Sequence, residues 1–204
     1  MENINYEALV KALKDRRFLP EVYDTAEEAK AAALAIIGNK SVGIGGSATV
    51  RDMGLAEALQ ANGNEVYWHW LAAKEAKQAA RDKALNADVY MCSANALTTD
   101  GRLVNIDGTG NRAAGLIYGP HEVIVIVGQN KIVGSLDEAM DRIKRDTCPT
   151  NARRLGLDTP CAKTDQCHDC RTAARMCNVT FIHEGPTRPV KAFHVLIVKE
   201  VLGL

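Results

Sequence analysis

Four cysteines, Cys161, Cys167, Cys170 and Cys177, fall within seventeen residues in the run PCAKTDQCHDCRTAARMC. Thiolates are soft ligands, and four of them this close in sequence suit a metal ion or an iron-sulfur cluster. Two disulfides would use the same sulfurs but need an oxidising compartment. The leading sequence MENINYEALVKALKDRR has no apolar signal-peptide core, so a cytoplasmic, reduced protein is expected. Structural zinc usually shows two separated CxxC knuckles, whereas only Cys167 and Cys170 form one here. A contiguous run with one CxxC suits a 4Fe-4S cluster held by a single wrapping segment, with zinc as the alternative. His168 reads as a solvated loop residue and Cys92 as a small core hydrophobe, and Cys148 stays outside the ligand set.

A second chemistry lies in VGIGGSATVRDMGL. Glycines allow the backbone to approach a ligand, and the N-terminus of the following helix offers free N–H groups to an anion. Gly45, Gly46, Ser47 and Thr49 are therefore candidates for binding a phosphate or carboxylate. Neither GxGxxG nor GxxxxGK[ST] is matched, and a purely structural tight turn explains the glycines equally well. A third group lies in SANALTTDGRLVNIDGTGNR, where Asn95, Asp107, Gly108, Gly110, Asn111 and Arg112 fall at strand ends and a helix start. Asp107 is the candidate acid or base of this pocket. Lys131 reads as a solvated or capping charge, and His69 as a packing residue of a strand.

Hydrophobic spacing supplies the elements that must position these groups. Helical periodicity covers residues 6–17, and Thr25 with Glu28 forms a capping box before a helix ending at Gly38. Strands are expected at 41–44, 65–70, 87–92 and 103–106, with helices at 50–62 and 72–85. The run VIVIV within 121–127 is the clearest core strand, residues 131–133 are expected to pair beside it, and 136–145 to be helical. Strands at 179–182 and 193–198 make the cysteine segment, residues 158–178, an excursion from the sheet. The alternation of strand and helix gives a three-layer, mainly parallel α/β sheet in a single domain spanning 1–204.

The 204 residues, 47% hydrophobic, can bury a substantial core. The 25 basic and 25 acidic residues cancel, so no global field favours nucleic acid or an anionic membrane, and 5% aromatic content gives no stacking platform for bases. No apolar stretch has the length of a membrane span.

GIGGSATVRDMGL, SANALTTDGRLVNIDGTGNRAAGLIYGPHEVIVIVGQNKIV, NARRLGLDTPC and the cysteine run together resemble the LUD domain family associated with lactate utilisation, over most of the chain. The pattern is similar to the short branch of that family that carries a cysteine-rich C-terminal segment. The resemblance implies a fold like that of glucosamine-6-phosphate deaminase, ribose-5-phosphate isomerase and the CoA-transferases, whose ligands contact a Gly-rich loop after an early strand. Gly45, Gly46 and Ser47 occupy that position. It further implies a small anionic ligand and oxidoreductase partner subunits, and a homo-oligomer is compatible with it. The chain would then be an enzyme or complex subunit with a cysteine-bound 4Fe-4S cluster. The alternative is a binding or electron-transfer accessory, or the same fold with structural zinc.

Overall fold

A computed structural model describes residues 4–204. Six parallel strands form the central sheet: β1 (Leu19–Tyr23), β2 (Val42–Ile44), β3 (Val66–Trp68), β4 (Val89–Cys92), β7 (Glu122–Gly128) and β10 (Ala192–Val198). Their order is β1-β10-β7-β4-β2-β3. A smaller sheet is built from β5 (Ala96–Thr98), β6 (Leu103–Asp107), β8 (Ile132–Val133) and β9 (Val179–His183), in the order β8-β5-β6-β9.

The run VIVIV explains why helices must cover both faces of the central sheet. Ile124 and Ile126 join Ala29, Ile37 and Leu55 in one core, while Val123, Val125 and Val127 join Leu9, Phe18 and Leu116 in the other. Alternate side chains of one strand thus feed two cores, as a doubly covered parallel sheet requires. Helices α2 (Ala26–Ile37), α3 (Ala48–Asp52) and α4 (Leu55–Ala61) lie on the first face. On the second are α1 (Tyr6–Asp15), α5 (Lys77–Leu85) and α6 (Asn111–Tyr118). The capping box is present: Thr25 Oγ1 accepts from the Glu28 N–H at 3.2 Å, and Glu28 Oε2 accepts from the Thr25 N–H at 3.2 Å.

Several expectations are corrected. Residues 50–62 are not one helix, because Gly54 at φ +60° sits between α3 and α4. Residues 132–133 pair with β5 in the small sheet rather than with β7. Residues 136–145 divide into α7 (Leu136–Arg142) and a π-helical turn, Ile143–Thr147, which runs on into α8 (Cys148–Arg154). Strand β1 has no signal in the hydrophobic pattern, because Pro20 reads as a breaker; the proline is tolerated because β1 is the edge strand of the sheet. The short helix α9 (Pro160–Thr164) follows, and residues 165–178 contain turns but no helix or strand. Among the described residues, no helix is long and apolar enough to cross a membrane.

Candidate functional site

From β2 the chain proceeds to β3 on one side, then crosses back to β4 and continues to β7 and β10 on the other. The carboxyl ends of β2 and β4 therefore flank the point where strand order reverses, the usual place for a ligand crevice in an open α/β sheet. A cavity of about 480 Å³ lies there, within the size range of small-molecule sites. It is lined from the loop after β2 by Gly46 and Ser47, from the first turn of α3 by Thr49, and from the loop after β4 by Ser93, Ala94 and Asn95. The end of β6 and the start of α6 add Asp107, Gly108, Asn111 and Arg112.

These groups hold one another in place. Asp107 Oδ1 accepts from the Gly108 N–H at 2.8 Å, and Oδ2 accepts from the N–H groups of Arg112 at 3.1 Å and Ala113 at 3.0 Å. The carboxylate therefore caps α6, where the helix dipole favours its charge. Gly110, at φ +89°, makes the turn that lets the chain return to it. Arg112 Nη2 donates to Asn95 Oδ1 at 3.0 Å and to the Ile106 carbonyl at 2.6 Å, while Asn95 Oδ1 also accepts from the Ile106 N–H at 2.9 Å. These bonds set the plane of the guanidinium. Gly45 does not line the cavity: its carbonyl accepts from Trp68 Nε1 at 3.1 Å, and a Cβ there would lie 3.0 Å from Tyr90 Oη.

The lining is mostly basic. Lys77, Arg81, Arg112, Lys131 and Arg154 line the cavity, against Asp107 as the single acidic side chain among the described residues lining it. Arg81 Nε is buried with no hydrogen-bond partner among the described residues. Arg154 stacks over Trp70 with its guanidinium carbon 4.7 Å from the ring centroid, a cation–π contact that fixes it at the rim. Burial, with Arg81 and Lys77 nearby, pulls the His69 pKa down to about 4, so this buried imidazole is neutral at pH 7.

Lys131 corrects the expectation of a solvated charge, being only 3% exposed. Its Nζ donates to Thr49 Oγ1 at 2.8 Å and to Ser93 Oγ at 2.9 Å. Burial pulls its pKa down to about 7, reinforced by the guanidinium groups of Arg142 and Arg112. The signal that could have found it is its place just after the strongest core strand, at the same sheet edge as the glycine turn.

The cysteines gather around Cys148, whose thiol pKa is pushed up by its hydrogen bond with Cys177, by burial and by the nearby Cys167 and Cys161. Cys161 is buried in α9 with its Sγ 3.3 Å from Thr159 Oγ1, and Cys167 is exposed. Cys177 Sγ lies 3.4 Å from Cys148 Sγ, the residue left out of the expected ligand set. These two thiols line the cavity, whereas Cys161, Cys167 and Cys170 do not. Among the described residues, no group of three or more His, Cys, Asp or Glu side chains stands where it could hold a metal ion. The segment nonetheless abuts the pocket: a Cβ on Gly108 would lie 2.8 Å from the Met176 carbonyl oxygen, and the Asn178 N–H donates to the Asp107 carbonyl at 3.0 Å.

Comparison with known proteins gives the same architecture. A sequence model of the family described as the LUD domain matches residues 6–198. A crystal structure of a DUF162 family protein from Deinococcus radiodurans superposes with a TM-score of 0.55 at 15% identity, covering 95% of each chain. At that identity the likeness is one of fold. No curated protein matches the chain.

Proposed function

The chain belongs to the LUD domain family, and on that premise we propose a lactate-utilisation-type protein whose switch-point cavity binds a small carboxylate or phosphorylated acid. It acts on that ligand as an enzyme or as the ligand-binding subunit of an oxidoreductase assembly. The observation that carries this reading is the charge of the cavity: four cationic side chains, Lys77, Arg81, Arg112 and Arg154, and the buried amine of Lys131 line it with one acidic side chain, Asp107, whose oxygens already accept backbone N–H groups. Clustered cations in a partly desolvated crevice repel one another, and an anion relieves that repulsion.

In this reading Arg112 presents its guanidinium edge to the anion, and Arg81 supplies a buried donor with no hydrogen-bond partner among the described residues. Gly46 and Ser47 leave room for the ligand at the start of α3, while Thr49, Asn95, Asp107 and Asn111 hold the surrounding frame. The cysteine segment is a separate matter. For its thiols to take up a 4Fe-4S cluster or zinc, residues 165–178 would have to close around the metal, coupling metal binding to local folding. No step of the anion reading is routed through them.

The test is thermal melting in the presence of pyruvate, lactate and inorganic phosphate, each compared with chloride at equal ionic strength. A ligand that binds only the folded chain raises its melting temperature. A specific rise with at least one of these anions supports the reading; indistinguishable melting in all four sinks it.

A further inference from the structure

The anion reading leaves a buried amine unexplained. An anion can be held by guanidinium groups alone, yet Lys131 Nζ sits at the bottom of the cavity between two hydroxyls. The Ser93 hydroxyl donates to the Ala94 carbonyl at 3.2 Å, and that of Thr49 turns toward the Leu202 carbonyl at 3.5 Å. Both oxygens are thereby set to accept from Nζ. Two of the amine's tetrahedral positions are thus occupied, and in the neutral form its lone pair takes a third. Burial, with Arg142 and Arg112 close by, brings its pKa down to about 7, so a large share of the amine is unprotonated at neutral pH. A desolvated lysine of this kind is the ordinary carbonyl nucleophile of Schiff-base chemistry.

Resting on the anion reading, we propose that Lys131 forms a Schiff base with the carbonyl carbon of a 2-oxo acid whose carboxylate is bound by the basic lining of the cavity. The Nζ lone pair attacks the carbonyl carbon, forming a C–N bond as the C=O π pair moves to oxygen. A proton passes from nitrogen to that oxygen, giving a carbinolamine. Protonation of the hydroxyl and its departure as water leaves the iminium, so one proton is taken up and one water released overall. The iminium is an electron sink for bond cleavage at the adjacent carbon. Thr49 and Ser93 are positioning residues that aim the amine.

The experiment treats the full chain with pyruvate and cyanoborohydride, then maps modified lysines by peptide mass spectrometry. A parallel arm uses dihydroxyacetone phosphate, and both arms are repeated on Lys131→Arg, which keeps the charge but forms no stable imine. The expected result is a reduced pyruvate adduct on Lys131 that is lost in Lys131→Arg, with circular dichroism confirming that the variant is folded. If Lys131 is labelled by the phosphorylated ketone and not by pyruvate, the 2-oxo acid assignment is overturned. If pyruvate raises the melting temperature but leaves Lys131 unlabelled, the covalent role fails while the anion reading survives. If pyruvate neither stabilises nor labels, the proposal fails, and the anion reading then rests on lactate and phosphate.

Discussion

Lys131 and Ser93 meet at the floor of the cavity, Nζ donating to Oγ at 2.9 Å. The bond ties the segment after β7 to the loop after β4, two strands paired in parallel with Cys92 opposite Val125. It fixes a cationic residue where burial, Arg142 and Arg112 oppose its charge. A group held against its own solvation in this way makes stability depend on pH.

The Lys131 pKa is about 7 folded, against 10.5 for the unperturbed group. Between these values the unfolded chain carries a proton that the folded chain lacks, so this group makes stability rise with pH across that window. The penalty is fully present below about pH 7 and fades toward about pH 10. Lys131→Met is therefore expected to melt above the wild type near neutrality, by up to several kcal/mol at about 1.4 kcal/mol per pKa unit, with the gap closing in alkali. Melting curves of both chains across this range check it, and a gap that does not change with pH would contradict the burial argument.

Asp107→Asn replaces one of two accepting oxygens with a donor, leaving an N–H of α6 without its cap. A loss of roughly 1 kcal/mol in denaturant unfolding is expected, typical of a lost helix cap. Pyruvate labelling of Lys131 at an unchanged rate would confine Asp107 to positioning. A sharply slower rate in a variant of unaltered stability would restore it as an acid or base.

Gly43→Ala tests how tightly α5 lies on β2. A Cβ at this position would sit 2.1 Å from the Ala84 carbonyl oxygen, a backbone atom that cannot swing aside. Destabilisation of about 3 kcal/mol or more is expected, at or beyond the upper end of ordinary overpacking. Urea unfolding measures it, and a loss below about 1 kcal/mol would mean that the helix is free to lift.

Thiol reactivity separates the two states of the cysteine segment. As folded here, the exposed Cys167 and the half-buried Cys177, whose pKa its hydrogen bond with Cys148 pulls down to about 7, should react first with an aromatic disulfide reagent. Cys92, whose pKa burial pushes up to about 12, should stay inert until the chain unfolds. Mild oxidation should join Cys148 to Cys177. Protein purified without oxygen in which Cys161, Cys167, Cys170 and Cys177 are all protected, with stoichiometric iron or zinc, would instead show the segment closed around metal.

The sheet was legible wherever one strand serves two cores, as VIVIV does, because an unbroken apolar run of that length between turn signals suits a strand covered on both faces. The breaks were not. Gly54 falls inside a pattern that stays helical on both sides, so only its backbone angle reveals the corner between α3 and α4. Residues 131–133 lie next to β7 in sequence, but the partner of 132–133 is β5, a long-range choice that local pattern does not encode. The pocket was half legible: Thr49, Asn95, Asp107 and Arg112 line one cavity, since turns at strand ends share one edge of a parallel sheet. Lys77, Arg81 and Arg154 carry no signal in the sequence, because whether a helix end faces solvent or a crevice is set by tertiary packing.

The central claim is that the switch-point cavity is an anion site, and calorimetric titration of pyruvate, lactate and phosphate into the wild type, Arg81→Ala and Arg112→Met tests it most directly. The expected result is saturable binding of at least one anion to the wild type, weakened about tenfold or more in each variant, as the loss of a charge-assisted hydrogen bond entails. No binding of any of the three, or equal affinity in all three chains, would contradict it.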